Sequence, residues 1–526
     1  MSTRLARSAG LIGVATMASR LLGVARESVM ALLFGAGPQM DAFNVAFRVP
    51  NLLRDLFAEG AMTAAFVPTF SKTMTDHGRD AAWRLGNLVI NALLIVTGVL
   101  VVLGIIFAAP ITHAIAPKFA RFPGKLELTT DLTRLMLPLL TTVAIAVAMM
   151  GMLNSLRRFF IPAFSPAMFN VATILSGFTL VPLMPYVGLP PIAGMAIGTL
   201  LGGLGQILIQ WPALRKEGFR YQPIVSFRDP ALLEILRLMG PGTLGLAAVQ
   251  INVFVNTYLA TSQQEGSVSW LSYAFRLMYL PIGLFGVSIA TAALPDIARY
   301  ANEKDVPGMR RTISSALRMM LMLNVPATIG LIALAHPIIS LLLERGRFTP
   351  DDTAHTAAAL MFYAPGLIGY SAVKVASPSF YSLRDSRTPV IVSVVSVLAN
   401  LALNLVLVRA MGYRGLALGT AIAAIFNAAA LLWLLRGRLD GLDGRRVSVA
   451  FIKIAVASAA MGIAAYFASV WLARQIPDPG ILWKSVNLAG AIGAGLLVLV
   501  ASARLLRIAE FDDAVRRALR RFMPAR

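Results

Sequence analysis

Residues 15–60 read ATMASRLLGVARESVMALLFGAGPQMDAFNVAFRVPNLLRDLFAEG. Much of this stretch is apolar enough to enter a bilayer. It nevertheless holds Arg20, Arg26, Arg48 and Arg54, with Glu27, Asp41, Asp55 and Glu59 among them. Asp41, Arg48 and Asp55 fall seven apart, roughly one helix face, and Asp55 and Glu59 are four apart and also neighbours. Further along, Arg276 stands in the apolar run SYAFRLMYLPIG and Lys374 in GYSAVKVASPSFYS. A charged side chain at the bilayer centre costs several kcal/mol, so such residues must face protein or a wet cavity. Over these segments six cations stand against four acids. The excess suits an anion, and arginine in particular suits phosphate, because its planar fork donates two parallel hydrogen bonds. The alternative is structural: ion pairs for Glu27, Asp55 and Glu59, snorkelling for Arg48, and an arginine partner for Asp41.

The elements that must carry these groups follow from composition. The chain has 526 residues, 57% hydrophobic and only 14% charged, which describes no soluble surface of this size. Apolar runs recur along its length, each able to cross a ~30 Å hydrocarbon core with about 20 helical residues. An all-α polytopic membrane protein is expected. A β-barrel is excluded, since its strands would alternate polar and apolar. Fourteen spans are expected, near 8–35, 41–75, 84–110, 129–153, 160–182, 190–212, 230–261, 268–298, 311–342, 353–382, 387–409, 414–436, 448–473 and 482–505. The basic N-terminus and its apolar run are read as a retained first helix, because arginines interrupt the run and no soluble domain follows.

Lysine and arginine set the orientation. With both ends on one side, the loops and tails there collect 28 of them, against nine opposite. Both termini are expected to be cytoplasmic. The net charge of +22 is then explained by cytoplasmic loops beside anionic lipid, and nucleic acid is not expected as a partner.

The sequence also repeats. SLRRFFIP at 155–162 matches SLRDSRTP at 382–389, and Thr63-Ala64-Ala65 with Pro68 matches Thr291-Ala292-Ala293 with Pro295; the prolines of each pair lie 227 apart. GMAIGT from Gly194 matches GLALGT from Gly415 at an offset of 221. Three matches in one order imply a duplicated six-helix unit. The unit holds an even number of spans, so its copies share one topology, as in parallel repeats. The expected layout is an N-terminal lobe at 1–216, a C-terminal lobe at 217–440, and two extra helices with a basic tail at 441–526. Two lobes around a cavity is a transporter layout.

Other polar positions are fewer. Asn400 and Asn404 share a face of one helix, Thr420 begins another, and Asn256 lies inside a third. Their oxygens suit Na⁺ or interhelical hydrogen bonds. The small residues of the GMAIGT and GLALGT segments are expected to form packing surfaces. Signals for catalysis are missing. The four histidines are scattered near loops, there is no HExxH spacing and no Walker loop, and the absence of cysteine removes thiolate chemistry. A transporter rather than an enzyme is expected. Arg516, Arg517, Arg520 and Arg521 form a tail suited to lipid headgroups.

The residues SRLLGVARES, MDAFNVAFRVPNLLRDLFAEGAMTAAFVPTFS, GSVSWLSYAFRLMYLPIGLFGVSIATAALP and KVASPSFYSLRDSRTP resemble the MurJ (MviN) family of bacterial lipid II flippases, within the multidrug/oligosaccharidyl-lipid/polysaccharide exporter superfamily. The resemblance covers essentially the whole chain, and NLLRDLFAEGA is its most specific piece. It implies fourteen helices in two lobes around a V-shaped cavity. It also implies transport of undecaprenyl-diphosphate-linked disaccharide-pentapeptide from the inner to the outer leaflet for peptidoglycan synthesis. By the same resemblance Arg20, Arg26, Asp41, Arg54, Glu59 and Arg276 are substrate-site positions, Lys374 matches a basic position, and helices 13 and 14 offer the polyprenyl groove. A sodium site maps onto Asn256, Asn400, Asn404 and Thr420, although amides stand where carboxylates would bind the ion better. Phe275 occupies a position that is acidic in some members.

The expected mechanism is alternating access by a monomer in the bacterial inner membrane. Cations draw in the diphosphate head, the tail stays in lipid, and the lobes rock around the head. Na⁺ or the membrane potential would reset the carrier. Two rivals fit less well. A drug/cation antiporter of the same superfamily calls for an acidic or aromatic cavity, and a lipid glycosyltransferase calls for catalytic carboxylates and larger extracytoplasmic loops.

Overall fold

The computed structural model describes residues 3–54, 61–475 and 480–512, and among them all regular structure is helical. The helices are α1 (Thr3–Phe34), α2 (Pro38–Arg54), α3 (Ala61–Ile106), α4 (Ala108–Ile115), α5 (Lys125–Met136), α6 (Leu139–Ser155), α7 (Phe160–Thr179), α8 (Ile192–Lys216), α9 (Pro230–Thr261) and α10 (Ser267–Pro281). A π-helical turn, Ile282–Gly286, joins α10 to α11 (Val287–Glu303). There follow α12 (Val306–Ala333), α13 (Ala335–Leu342), α14 (Pro350–Tyr363), α15 (Gly366–Ser382), α16 (Arg387–Met411), α17 (Tyr413–Arg438), α18 (Gly444–Gln475) and α19 (Ile481–Leu505).

Several expected spans are broken into two helices. α3 carries the end of one span and most of the next, with a break at Gly78, whose φ of 85° suits glycine. Leu137 and Pro138 divide α5 from α6, and α14 and α15 meet at a 42° bend. Among the described residues, ten helical stretches are long and apolar enough to cross a membrane, or eleven if that bent pair is one span. The expected count of fourteen is not established by this measure.

The chain divides into two compact units. The first comprises residues 1–269 and 345–348, and the second comprises residues 270–344 and 349–526. In the first, α1 packs on α7, α7 on α8, and α3 on both α6 and α9. Its core gathers Phe66, Phe70, Val147, Met152, Phe219 and Ile235. In the second, α12 packs on α18, α18 on α19, α16 on α17, and α15 on α17. Ile313, Met320, Phe380, Leu431 and Ile454 are central to its core.

The repeat seen in the sequence has a counterpart in the backbone. Arg157 and Arg384, 227 apart, both take left-handed φ, 58° and 59°. In the first copy Arg158 N donates to Leu153 O (2.9 Å) and Arg157 N to Asn154 O (3.0 Å). In the second, Asp385 N donates to Phe380 O (3.0 Å) and Arg384 N to Tyr381 O (3.0 Å). Each is a Schellman-type helix ending. Ser155 and Ser382 also match, each donating its hydroxyl to the carbonyl four residues back. The glycines of the second motif pair are packing positions in both copies. A Cβ on Gly194 or Gly198 would strike Val181 or Ser176, and one on Gly415 or Gly419 would strike Leu407 or Asn404. Close approach of two backbones is what small residues give a membrane helix pair.

α19 is tied to the chain after α13 by Lys484 Nζ on Glu344 Oε1 at 3.0 Å. Burial raises the Glu344 pKa, but hydrogen bonds from Lys484, Thr353 and Ser340 outweigh it and hold the carboxyl below its ordinary value. A carboxyl depressed by folding stabilises above the ordinary carboxylate range, and that contribution disappears as pH falls through the depressed value. We therefore predict that Glu344→Gln lowers the thermal midpoint of the detergent-solubilised protein at neutral pH. Below the carboxylate range the variant and the parent should converge. A gap of equal size at both pH values would exclude this linkage.

Candidate functional site

The charges of the 15–60 stretch divide into two sets with different surroundings. Asp41, in the first turn of α2, is 1% exposed. Its Oδ2 accepts from Lys125 Nζ at 3.0 Å and from Gly266 N at 2.9 Å. Its Oδ1 accepts from Ser269 N at 3.0 Å and Ser269 Oγ at 2.7 Å, and Asn44 Nδ2 donates to that hydroxyl at 3.3 Å. The carboxylate therefore caps the first turn of α10, where backbone N–H groups lack intrahelical partners. The expected arginine partner for Asp41 is corrected to Lys125. Lys125 is 3% exposed, with Nζ 4.3 Å from the Phe119 ring centroid and 5.0 Å from that of Phe122. In the sequence, Lys125 reads as an ordinary loop cation. KFARFPGK, with two aromatics ahead of the lysine, was the signal available.

A second contact lies at the end of α1. Arg347 N donates to Leu32 O at 3.0 Å. Gly35 and Gly346 have φ of 61° and 60°, and a Cβ on either would meet the opposing backbone. These are two positions where only glycine permits the approach.

The arginines have a different setting. Arg26 donates from Nε to Glu27 Oε1 at 3.1 Å and from Nη2 to the same oxygen at 2.5 Å. Its guanidinium also lies 5.3 Å from the Phe169 ring centroid, a cation–π contact from α7. The expected structural pairing of Glu27 is thus observed. Below it, Asn170 Nδ2 donates to Ser19 O at 3.0 Å and fixes α1 on α7. Arg20 and Arg54 are half-buried, Arg54 as the last residue of α2. Asp55 and Glu59 lie outside the described residues. Among the described residues of α1 and α2 from residue 13 onward, Arg20, Arg26, Arg48 and Arg54 stand against Glu27 and Asp41. Asp41 is already engaged by Lys125 and α10.

In the second unit, Arg276 is half-buried on α10. Phe275 beside it lies 5.7 Å from Tyr279, 5.5 Å from Tyr363 and 6.4 Å from Tyr370, so Phe275 belongs to an aromatic cluster. Lys374 is exposed, between buried Ala372 and Val375.

The sodium positions divide between the units. Asn256 is half-buried on α9 in the first, and Asn400, Asn404 and Thr420 lie on α16 and α17 in the second. Asn404 Nδ2 donates to Asn400 Oδ1 at 3.0 Å, and Thr420 Oγ1 to Leu416 O at 2.8 Å. This set is neutral, and one of its amide oxygens already accepts a hydrogen bond. Among the described residues no group of three or more His, Cys, Asp or Glu could hold a metal.

Comparison with known proteins decides the class. The family model described as "Lipid II flippase MurJ" matches residues 30–477. The chain belongs to the MurJ family. It is 34% identical over 518 residues to a probable lipid II flippase MurJ of Vibrio cholerae serotype O1, covering 97% of each chain. A solved MurJ structure in an inward closed conformation superposes with a TM-score of 0.77 at 27% identity, covering 94% of this chain and 99% of that one. An inward-facing multidrug resistance MATE transporter shares the fold at 18% identity, with a TM-score of 0.68 over 81% of this chain and 96% of that one. The all-helical architecture expected from the sequence is therefore that of MurJ proteins.

Removing one partner of a buried ion pair leaves an uncompensated charge, at about 3–5 kcal/mol. Asp41→Asn or Lys125→Met should each sharply lower the thermal midpoint and the amount of folded protein. The double variant should recover part of the loss. Full additivity of the two losses would show that the pair does not act as a unit.

Proposed function

We propose that this MurJ-family protein moves lipid II, undecaprenyl-diphosphate-linked disaccharide-pentapeptide, from the inner to the outer leaflet of the bacterial inner membrane. Arg20, Arg26, Arg54 and Arg276 draw in the diphosphate, and Lys374 and Glu59 complete the polar surroundings of the head. Asp41 acts one step removed, by holding Lys125 and the start of α10. The observation that carries this reading is the match of residues 30–477 to the lipid II flippase MurJ family model, and the guanidiniums at Arg20, Arg26, Arg54 and Arg276 suit the diphosphate. Bidentate guanidinium–phosphate bonding supplies the recognition.

The polyprenyl tail stays in lipid beside α18 and α19, so only the head needs shielding. Both termini are cytoplasmic, as the loop charges favour, and the protein acts as a monomer. The lobes alternate access around the head, with the anionic substrate offsetting cationic charge that biases the empty carrier. The membrane potential resets it, since ~2.3 kcal/mol accompanies each charge moved through 100 mV. Neutral oxygens at Asn400, Asn404 and Thr420 make Na⁺ a weaker candidate for that role. A cationic-drug antiporter shares the fold, but guanidiniums at Arg20, Arg26, Arg54 and Arg276 suit an anionic cargo better.

Arg26→Ala or Arg276→Ala should abolish complementation of a strain depleted of its own flippase while the protein level stays normal. Wild-type growth with either variant would remove that residue from the site. In reconstituted vesicles, an ionophore that collapses the potential should stop flipping. Unchanged flipping would reject the electrical reset while leaving the diphosphate site intact.

A further inference from the structure

The connection between α8 and α9 has no part in the site described above. From 220 to 228 it reads RYQPIVSFR, a run symmetric in kind about Ile224. Arginine stands outermost at 220 and 228, an aromatic ring at 221 and 227, a polar residue at 222 and 226, and Pro223 and Val225 flank the centre. The segment is neither helix nor strand, yet it is firmly held.

Asn87 and Asn91, one turn apart on α3 and both buried, fix its course. Asn87 Nδ2 donates to Arg220 O at 2.9 Å, and Gln222 N donates to Asn87 Oδ1 at 2.9 Å. Asn91 Nδ2 donates to Gln222 O at 2.8 Å and Ile224 O at 2.9 Å, and Tyr221 OH donates to Asn91 Oδ1 at 2.7 Å. The two asparagines thus satisfy backbone groups that would otherwise need water, which is what an irregular segment requires at an apolar boundary.

Most of its side chains are exposed. Tyr221, Val225 and Phe227 are 43%, 52% and 46% exposed, and Arg220 and Arg228 are exposed as well. Asn91 lies just before the stretch of α3 where Leu94, Ile95, Val96 and Val99 are exposed, and α9 shows Leu233 and Leu236 shortly beyond the strap. The strap is therefore continuous with surface of the kind that meets acyl chains. The acids at its two ends are already neutralised: Glu217 by Arg79 and Arg158 (3.3 and 2.8 Å), and Asp229 by Arg84 (3.7 Å). Arg215 and Lys216, both exposed, add further positive charge next to it.

We infer that residues 220–228 are an interfacial strap that docks on anionic phospholipid headgroups of the leaflet the loop charges assign to the cytoplasm. Pro223, Ile224 and Val225 sit at the headgroup–acyl boundary, the rings of Tyr221 and Phe227 lie at headgroup level, and Arg220 and Arg228 reach lipid phosphates. The partner is the bilayer itself. The proposal depends on the membrane orientation given above but not on what is transported.

The chain contains no cysteine, so Val225→Cys gives a single site for a nitroxide label. The labelled protein is placed in vesicles of phosphatidylcholine alone or of phosphatidylcholine with phosphatidylglycerol, without any lipid diphosphate. With phosphatidylglycerol present, the label should be reached by oxygen and shielded from a water-soluble nickel chelate. Adding Arg220→Gln and Arg228→Gln should remove the dependence on phosphatidylglycerol, at about fivefold in headgroup association for each arginine. Equal access to the nickel chelate in both lipid mixtures would overturn the proposal. So would shielding that persists unchanged in the double-glutamine protein, because the arginines would then have no role. Vesicles without lipid diphosphate make either result independent of flipping.

Discussion

A charge that leaves water must be matched, and this chain meets that constraint in two different ways within 40 residues. Asp41 is matched completely: four donors on Lys125, Gly266 and Ser269 fill both of its oxygens, and Asn44 supports the serine. Such a group holds structure in place and has little capacity left for a ligand. Arg26 is matched by its neighbour Glu27 and by the face of Phe169. An arginine can also pair bidentately with phosphate, and a diphosphate is a visitor that such groups can bind.

The same economy governs the uncharged elements. Helix pairs approach through glycine, at Gly194 and Gly198 in one copy of the repeat and Gly415 and Gly419 in the other, because lipid gives no hydrophobic reward for association and van der Waals contact must suffice. Irregular backbone is held by side-chain amides, as Asn87 and Asn91 hold the strap. Helices end on matched hydrogen bonds, as at Arg157 and Arg384. In each case a polar backbone group that water will not satisfy has been given a protein partner.

Function follows from how these solutions are distributed. Fully satisfied groups such as Asp41 build the frame. The Arg276 region pairs a cation with a cluster of aromatic rings in the second unit, and the first unit carries the α1–α2 arginines. The kinship with MurJ proteins gives this pattern its chemical meaning, since phosphate is the group that arginine binds in a geometrically specific way.

The sequence by itself determined the class. Apolar runs long enough to span a bilayer, sparse charges within them and a duplicated set of short motifs were all local facts, carried by composition and spacing. It also marked the arginines, because a cation in an apolar run stands out without any knowledge of its neighbours. Tertiary structure alone decided partners. Lys125 reads as one more loop cation until the fold brings it to Asp41, 84 residues away, and Ser269 and Gly266 reach the same carboxylate from more than 200 residues off. The strap likewise looks like an ordinary basic loop until Asn87 and Asn91 are seen to hold its backbone. Spacing along a chain reports which side chains share a helix face; which group neutralises a buried charge depends on contacts between distant segments, and those exist only once the helices have packed.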